Sequence, residues 1–266
     1  MLLVVAYDGS FFSGWASQPS VPTVAGALDR ALTAVDPAAT RVRGASRTDA
    51  GVHARGQLVA FDTERTISPR GWVHALNDGL PAAVAVVRAA TVGTGFDPRR
   101  SARAKRYRYV LLGAPVRDPY WERRAWRVGY RLNQDLMAAE AASLVGTHDF
   151  RAFRSSADDR GHTVRTIRRT EVRSGRGDRR LLEILVEGDG FLHNMVRIIV
   201  GTLVDVGRGR LAAGAFTRAL ASGRRVDLGP TAPAAGLYLE HVELGVSPLA
   251  WWPDAAPLID WPGTVA

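Results

Sequence analysis

Hydrophobic and polar positions along this chain of 266 residues switch between two periods. The opening run LLVVAY at 2–7 reads as a strand. Residues 24–35 place Ala27, Leu28, Ala31, Leu32 and Val35 on one side of a helix, with Thr23 as its cap. Short strands over 41–45 and 57–63 flank the polar stretch SRTDAGVHARGQ at 46–57. Residues 68–80 suit a helix with Ser68 as cap and Pro69 at its first position, and 84–92 returns to a strand. After GTGFDPRR the pattern restarts, and 103–112 alternates Arg or Lys with Tyr, Val and Leu, as a half-exposed strand does. Then follow a helix over 133–145 opened by Asn133, and paired strands over 165–174 and 181–187 around GRGD. An apolar helix over 191–206, a helix over 212–221 and a closing strand over 236–244 complete the pattern. Residues 246–266, rich in Pro and Trp, read as an irregular tail packed on the surface.

This order gives two successive α/β halves. Short strands and hairpin-like connections favour antiparallel sheets with helices on one face, an α+β class, over a doubly wound parallel sheet. The halves divide within 95–103, giving an N-terminal domain over 1–98, a C-terminal domain over 99–245 and the tail over 246–266. The basic junction between two sheets is a natural ligand cleft. No apolar run reaches the ~18 residues of a membrane span. The first strand lacks the basic flank and cleavage site of a signal peptide, so a cytoplasmic protein is expected. The absence of cysteine excludes disulfides, thiolate zinc sites and a cysteine nucleophile.

Charge changes the picture by where it lies. Arg99 to Arg131 holds eleven basic residues against Asp118 and Glu122, so this window alone carries the net charge of +9. Residues 151–180 add ten arginines against four acids. Lys105 is the single lysine, a bias that genome composition can produce, but bias does not explain clustering. Clustered cations fit a polyanion such as nucleic acid, because each one placed at a phosphate releases condensed counterions.

Three constellations can carry chemistry. Arg47, Asp49, His53 and Arg55 lie within nine residues of each other, beside strand residues able to hold them. By residue type this is a turn; as a site it offers a carboxylate that neighbouring arginines keep ionised, able to act as base or nucleophile. His53 has no second ligand at a zinc-like spacing, and no metal site is expected. In KRYRY at 105–109, Lys105, Tyr107 and Tyr109 share one strand face, and Arg106 and Arg108 share the other. That is either an edge strand with snorkelling cations or a base-stacking platform flanked by phosphate contacts. In GDGFLHNMVRIIVG, residues Gly190, Asn194, Arg197 and Gly201 form a polar or small stripe on an otherwise apolar helix. A guanidinium buried there needs an acid, and Asp49 needs a cation.

Six segments in order, YDGSFFSGW (7–15), SRTDAGVHARGQLVAFD (46–62), RSARAKRYRYV (100–110), GTHDFRAFR (146–154), GFLHNMVRIIVG (190–201) and AGLYLEHV (235–242), are similar to the TruA family of tRNA pseudouridine synthases. The resemblance implies two α/β domains with antiparallel sheets meeting at a central basic cleft, working as a homodimer without cofactor or metal. It implies conversion of uridine to pseudouridine at positions 38, 39 and 40 of the tRNA anticodon stem-loop. Asp49 matches the catalytic aspartate, Tyr107 the active-site tyrosine and Arg197 the arginine paired with the aspartate. Arg47 matches a residue that helps displace the target base, and Leu237 a leucine lining the pocket. Arg55, Arg106 and Arg108 are further candidates for backbone contacts. Ser46 stands where the family commonly has glycine, and Arg55 where smaller residues are frequent. A non-catalytic RNA-binding protein and a metal-dependent phosphodiesterase using His53 with His74 or His193 are the rival classes.

Overall fold

The structure, a computed structural model, describes residues 1–155, 161–175, 177–245 and 250–253. The chain runs β1 (Leu2–Tyr7), α1 (Val24–Val35), β2 (Arg43–Gly44), β3 (His53–Ala60), α2 (Pro69–Gly79) and β4 (Val84–Ala90). It continues with β5 (Ala102–Gly113), β6 (Trp126–Val128), α3 (Gln134–Ala142), β7 (Gly146–Asp149), β8 (Val164–Ser174), β9 (Leu181–Gly188), α4 (Met195–Gly207) and α5 (Ala215–Ser222), and closes with β10 (Leu237–Leu244). The class is the expected α+β. By contacts the chain forms two units, one of Met1–Arg103 with the described residues from Tyr238 on, the other of Ala104–Leu237. Sequence order groups β10 with the second half, whereas contacts group it with the first. No described helix is long and apolar enough to cross a membrane.

In the first unit β1 lies between β4 and β3, antiparallel to both. On its other side β3 takes β2 at its C-terminal end, antiparallel, and β10 at its start, in parallel. The Thr23 hydroxyl accepts the Gly26 N–H and starts α1, which buries Val24, Ala25, Ala27, Leu28, Ala31 and Leu32. Ser68 caps α2 in the same way, with proline in its first turn. Asn77 of α2 exchanges two hydrogen bonds with Val86 of β4, at 2.9 and 2.8 Å, and Trp72 meets Phe61 edge-on at 5.0 Å. These contacts fix the helical layer on the sheet. Most of the tail expected over 246–266 lies outside the described residues, including Trp261. Within 250–253, Trp252 exchanges backbone bonds with Ala89 at 2.9 and 2.8 Å, and the Arg88 guanidinium lies 5.1 Å from the Trp251 ring centre. That segment covers the outer edge of β4, where unpaired backbone groups would otherwise be exposed.

In the second unit β5, β9, β8 and β7 follow one another antiparallel, and β6 joins β5 in parallel. The apolar α4 is buried through nearly its whole length, beside α3. Glu140 of α3, itself buried, accepts the N–H groups of Gly214 and Phe216 at 2.7 Å each. A negative charge at the start of α5 is favourable, since orphan N–H groups converge there.

Three expectations change. The strand expected from residue 57 begins at His53, because His53 and Gln57 are buried and bonded internally, which hydropathy alone hides. The half-exposed strand over 103–112 is buried from Tyr107 to Leu112. The helix expected from residue 191 begins at Met195, after Asn194 in left-handed conformation at φ 63°. Gly190 therefore leaves the helical stripe, which reduces to Asn194, Arg197 and Gly201.

Candidate active site

Asp49 stands in the loop between β2 and β3, half-buried, with fixed backbone on both sides. Before it, the buried Gln57 amide donates to the Ser46 carbonyl at 2.6 Å and accepts the Ser46 N–H at 3.1 Å. The Thr48 carbonyl accepts the Trp15 N–H at 3.0 Å, and its hydroxyl lies 2.7 Å from the Tyr7 hydroxyl. After it, the Val52 N–H donates to the Asp49 carbonyl at 3.1 Å and closes a turn with Gly51 at φ 79°. Segment 7–15 lies directly on this loop. A Cβ on Gly9 would stand 2.0 Å from the Val52 carbonyl oxygen, so only glycine permits the approach.

His53 is 2% exposed. Its Nδ1 accepts the Gly9 N–H at 3.1 Å, and its ring stacks on Tyr238 with centres 4.6 Å apart. Arg47 is exposed beside Asp49, while Arg55 is half-buried with its guanidinium 3.9 Å from the Glu240 carboxylate.

In the second unit, Arg197 projects from the first turn of α4. Its Nε donates to the Ala232 carbonyl at 2.7 Å and its Nη1 to Asn194 Oδ1, also at 2.7 Å. The Ala232 N–H returns a bond to the Arg197 carbonyl at 3.0 Å. Two side-chain bonds thus set the plane of this guanidinium before any acid is considered. Tyr107 is 6% exposed and meets Phe191 edge-on at 5.1 Å. Tyr109 points into the core and donates to the Pro233 carbonyl at 2.7 Å. Burial pushes its phenol well above the ordinary tyrosine range, against the pull of nearby Arg197. The tyrosine pair expected on one face therefore splits: Tyr109 is structural, and Tyr107 remains the candidate. Leu237 is buried at the start of β10.

The opposite face of the same strand is laced by charge. Arg106 pairs with Glu187 at 2.7 Å, and Arg108 with the buried Glu183 at 3.0 Å. Arg173 takes the other oxygen of Glu183 at 2.9 Å. A guanidinium spent on a buried carboxylate is poorly placed to take a phosphate, so Arg108 in particular serves the sheet. Among the described residues no three His, Cys, Asp or Glu side chains gather as a metal site. The sequence singled out Asn194 in the helical stripe but passed over Ala232, Gly9 and Tyr7, whose signal was the glycine spacing in YDGSFFSGW and the Pro/Ala-rich TAPAAG before β10.

The backbone on both sides of Asp49 is held in the first unit, and the Arg197 guanidinium is held by the Ala232 carbonyl and Asn194 in the second. The sequence model of the tRNA pseudouridine synthase family matches residues 3–99 and 141–244. The chain is 43% identical over 240 residues to tRNA pseudouridine synthase A of Myxococcus xanthus, covering 90% of each chain. It is 42% identical over 243 residues to that of Moorella thermoacetica, covering 91% of this chain and 98% of the relative. The enzyme of the same name from Geobacter sp. is 42% identical over 242 residues, with 90% and 96% covered. A chain of a Cbf5-Nop10-Gar1 crystal structure shows a TM-score of 0.36 at 11% identity, covering 77% of this chain and 45% of that one, too loose a likeness to bear on the fold. The chain belongs to the tRNA pseudouridine synthase family, and is an isomerase acting on tRNA.

Proposed function

We propose that the chain converts uridine to pseudouridine at positions 38, 39 and 40 of the tRNA anticodon stem-loop, with Asp49 as the reacting carboxylate. The reaction breaks the C1′–N1 glycosidic bond, turns the uracil and joins C5 to C1′. Nothing is oxidised or hydrolysed, so its balance calls for no redox partner. Asp49 acts ionised, by attack on the ribose or base or by removing a ribose proton. Arg197 is its counter-ion, and Tyr107 lies against the uracil and takes the C5 proton late in the cycle. Leu237 lines the pocket.

A uridine in a stem must first leave its stack, at a cost of about a few kcal/mol. Arg47, exposed beside Asp49, offsets this through contacts with the displaced strand, and Arg55 and Arg106 add backbone contacts at the margin. The observation that carries the reading is the family match over both units, with the Asp49 loop in one matched span and Arg197 and Leu237 in the other. Tyr107 lies between the matched spans, and its role rests on the likeness of RSARAKRYRYV to the family alone.

The test is incubation of the enzyme and of Asp49→Asn with unmodified tRNA, followed by carbodiimide mapping of pseudouridine. The expected result is modification at 38 to 40 by the wild type, and none by the variant at unchanged tRNA affinity. If folded wild-type enzyme binds tRNA and leaves these uridines unmodified, the reading fails.

A further inference from the structure

We propose that His53 is a positioning residue for the reaction: through its Nδ1 it holds the Asp8–Ser10 turn against the loop that carries Asp49, and so sets where that carboxylate stands. The inference rests on Asp49 being the reacting group.

Three observations carry it. The imidazole is almost fully buried, stacked on Tyr238 at an interplanar angle of 17°, so its orientation is fixed. Its Nδ1 takes the Gly9 N–H at 3.1 Å. Gly9 in turn is pressed on Val52, whose N–H is bonded to the Asp49 carbonyl. A short chain of contacts therefore runs from the imidazole through Gly9 and Val52 to the backbone of Asp49, all within one unit.

Asp8 places an oxygen 3.2 Å from the same Nδ1, which taken alone is an ion pair. The two contacts compete, because a ring nitrogen presents one in-plane position, filled by either a proton or a lone pair. The Gly9 N–H points at that position, so we assign Nδ1 as acceptor. Asp8 then serves its own turn, accepting the Ser10 N–H at 3.0 Å and the Ser10 hydroxyl.

Two variants separate positioning from packing. His53→Phe keeps a ring against Tyr238 and removes the acceptor. His53→Asn removes the ring and returns an acceptor to the place of Nδ1. In steady-state assays on unmodified tRNA, the Phe variant is expected to lose about ten-fold in kcat, the scale of one lost buried hydrogen bond, with KM held within about two-fold. The Asn variant is expected to recover kcat to within about three-fold of wild type, although it melts at a lower temperature. If kcat instead follows melting temperature, with Phe the more active variant, or if Phe turns over like wild type, His53 only packs. Asp49→Asn run alongside separates the two readings. Its full activity sinks the role of Asp49 and this inference with it, whereas an inactive Asp49→Asn with a fully active Phe variant overturns the positioning role alone.

Discussion

Replacing Gly201 of α4 with alanine probes how Arg197 is held. The added Cβ would stand 1.8 Å from the Pro230 carbonyl oxygen and 2.8 Å from its carbon. The obstacle is backbone, so residues 229–233 must retreat by roughly 1.5 Å to reach ordinary contact. That strap is tied to α4 by the Gly229 N–H on the Thr202 hydroxyl at 3.0 Å, and by the two bonds between Ala232 and Arg197 at 3.0 and 2.7 Å. Losing two or three such bonds costs about 1 kcal/mol each. Alanine in a helix interior returns about 1 kcal/mol over glycine. The net is a destabilisation of about 1–2 kcal/mol, within the usual range for overpacked cores. A fall in melting temperature of roughly 3–6 °C follows. Pseudouridine formation should fall with it, because Arg197 Nε loses its carbonyl anchor. Urea unfolding, melting and a tritium-release assay read all three effects. Gly207→Ala is the control: its Cβ would meet Met137 Sδ at 2.6 Å and Cγ at 2.7 Å, so there the obstacle is an unbranched side chain and not backbone. Gly201→Ala as stable as wild type, or no worse than Gly207→Ala, would refute the account of the strap.

Two further outcomes are expected. Hydrogen bonds from the Arg151 and Thr163 side chains hold the Asp149 carboxyl at about 2, below its ordinary 3.8. A depressed carboxylate stabilises the fold above its unfolded value and loses that contribution as pH falls from 3.8 towards about 2. Solvent screening makes the effect small, and Asp149→Asn should flatten this part of the stability profile measured by urea midpoint. Arg47→Ala should weaken tRNA binding similarly across tRNA sequences and lower the salt slope of log affinity by about one, read by filter binding at several salt concentrations. An unchanged slope removes Arg47 from the phosphate contacts.

Much of the site was legible as residues, and little of it as geometry. Arg197 stood out as a charge on an otherwise apolar helix, and Asp49 as a carboxylate set among arginines in a segment similar to the family. The period of α1 and α2 and their caps at Thr23 and Ser68 were equally plain, since amphipathic spacing and N-cap chemistry are local. The start of β3 was not, because His53 and Gln57 read as polar residues of an exposed turn until their partners Gly9 and Ser46 are known. Arg108 read as an RNA contact for the same reason. Its carboxylate, the buried Glu183, arrives from a strand 75 positions on.

The sequence by itself determined the α+β class, the family and the identity of the candidate carboxylate, guanidinium and tyrosine. These depend on residue types and short spacings that survive in one dimension. Only the tertiary structure decided which charges are spent on other charges, which tyrosine faces the core, where α4 begins and what fixes Asp49. Each of those turns on a partner distant in the chain, and the free energy of a polar group depends on whether such a partner meets it once water is gone.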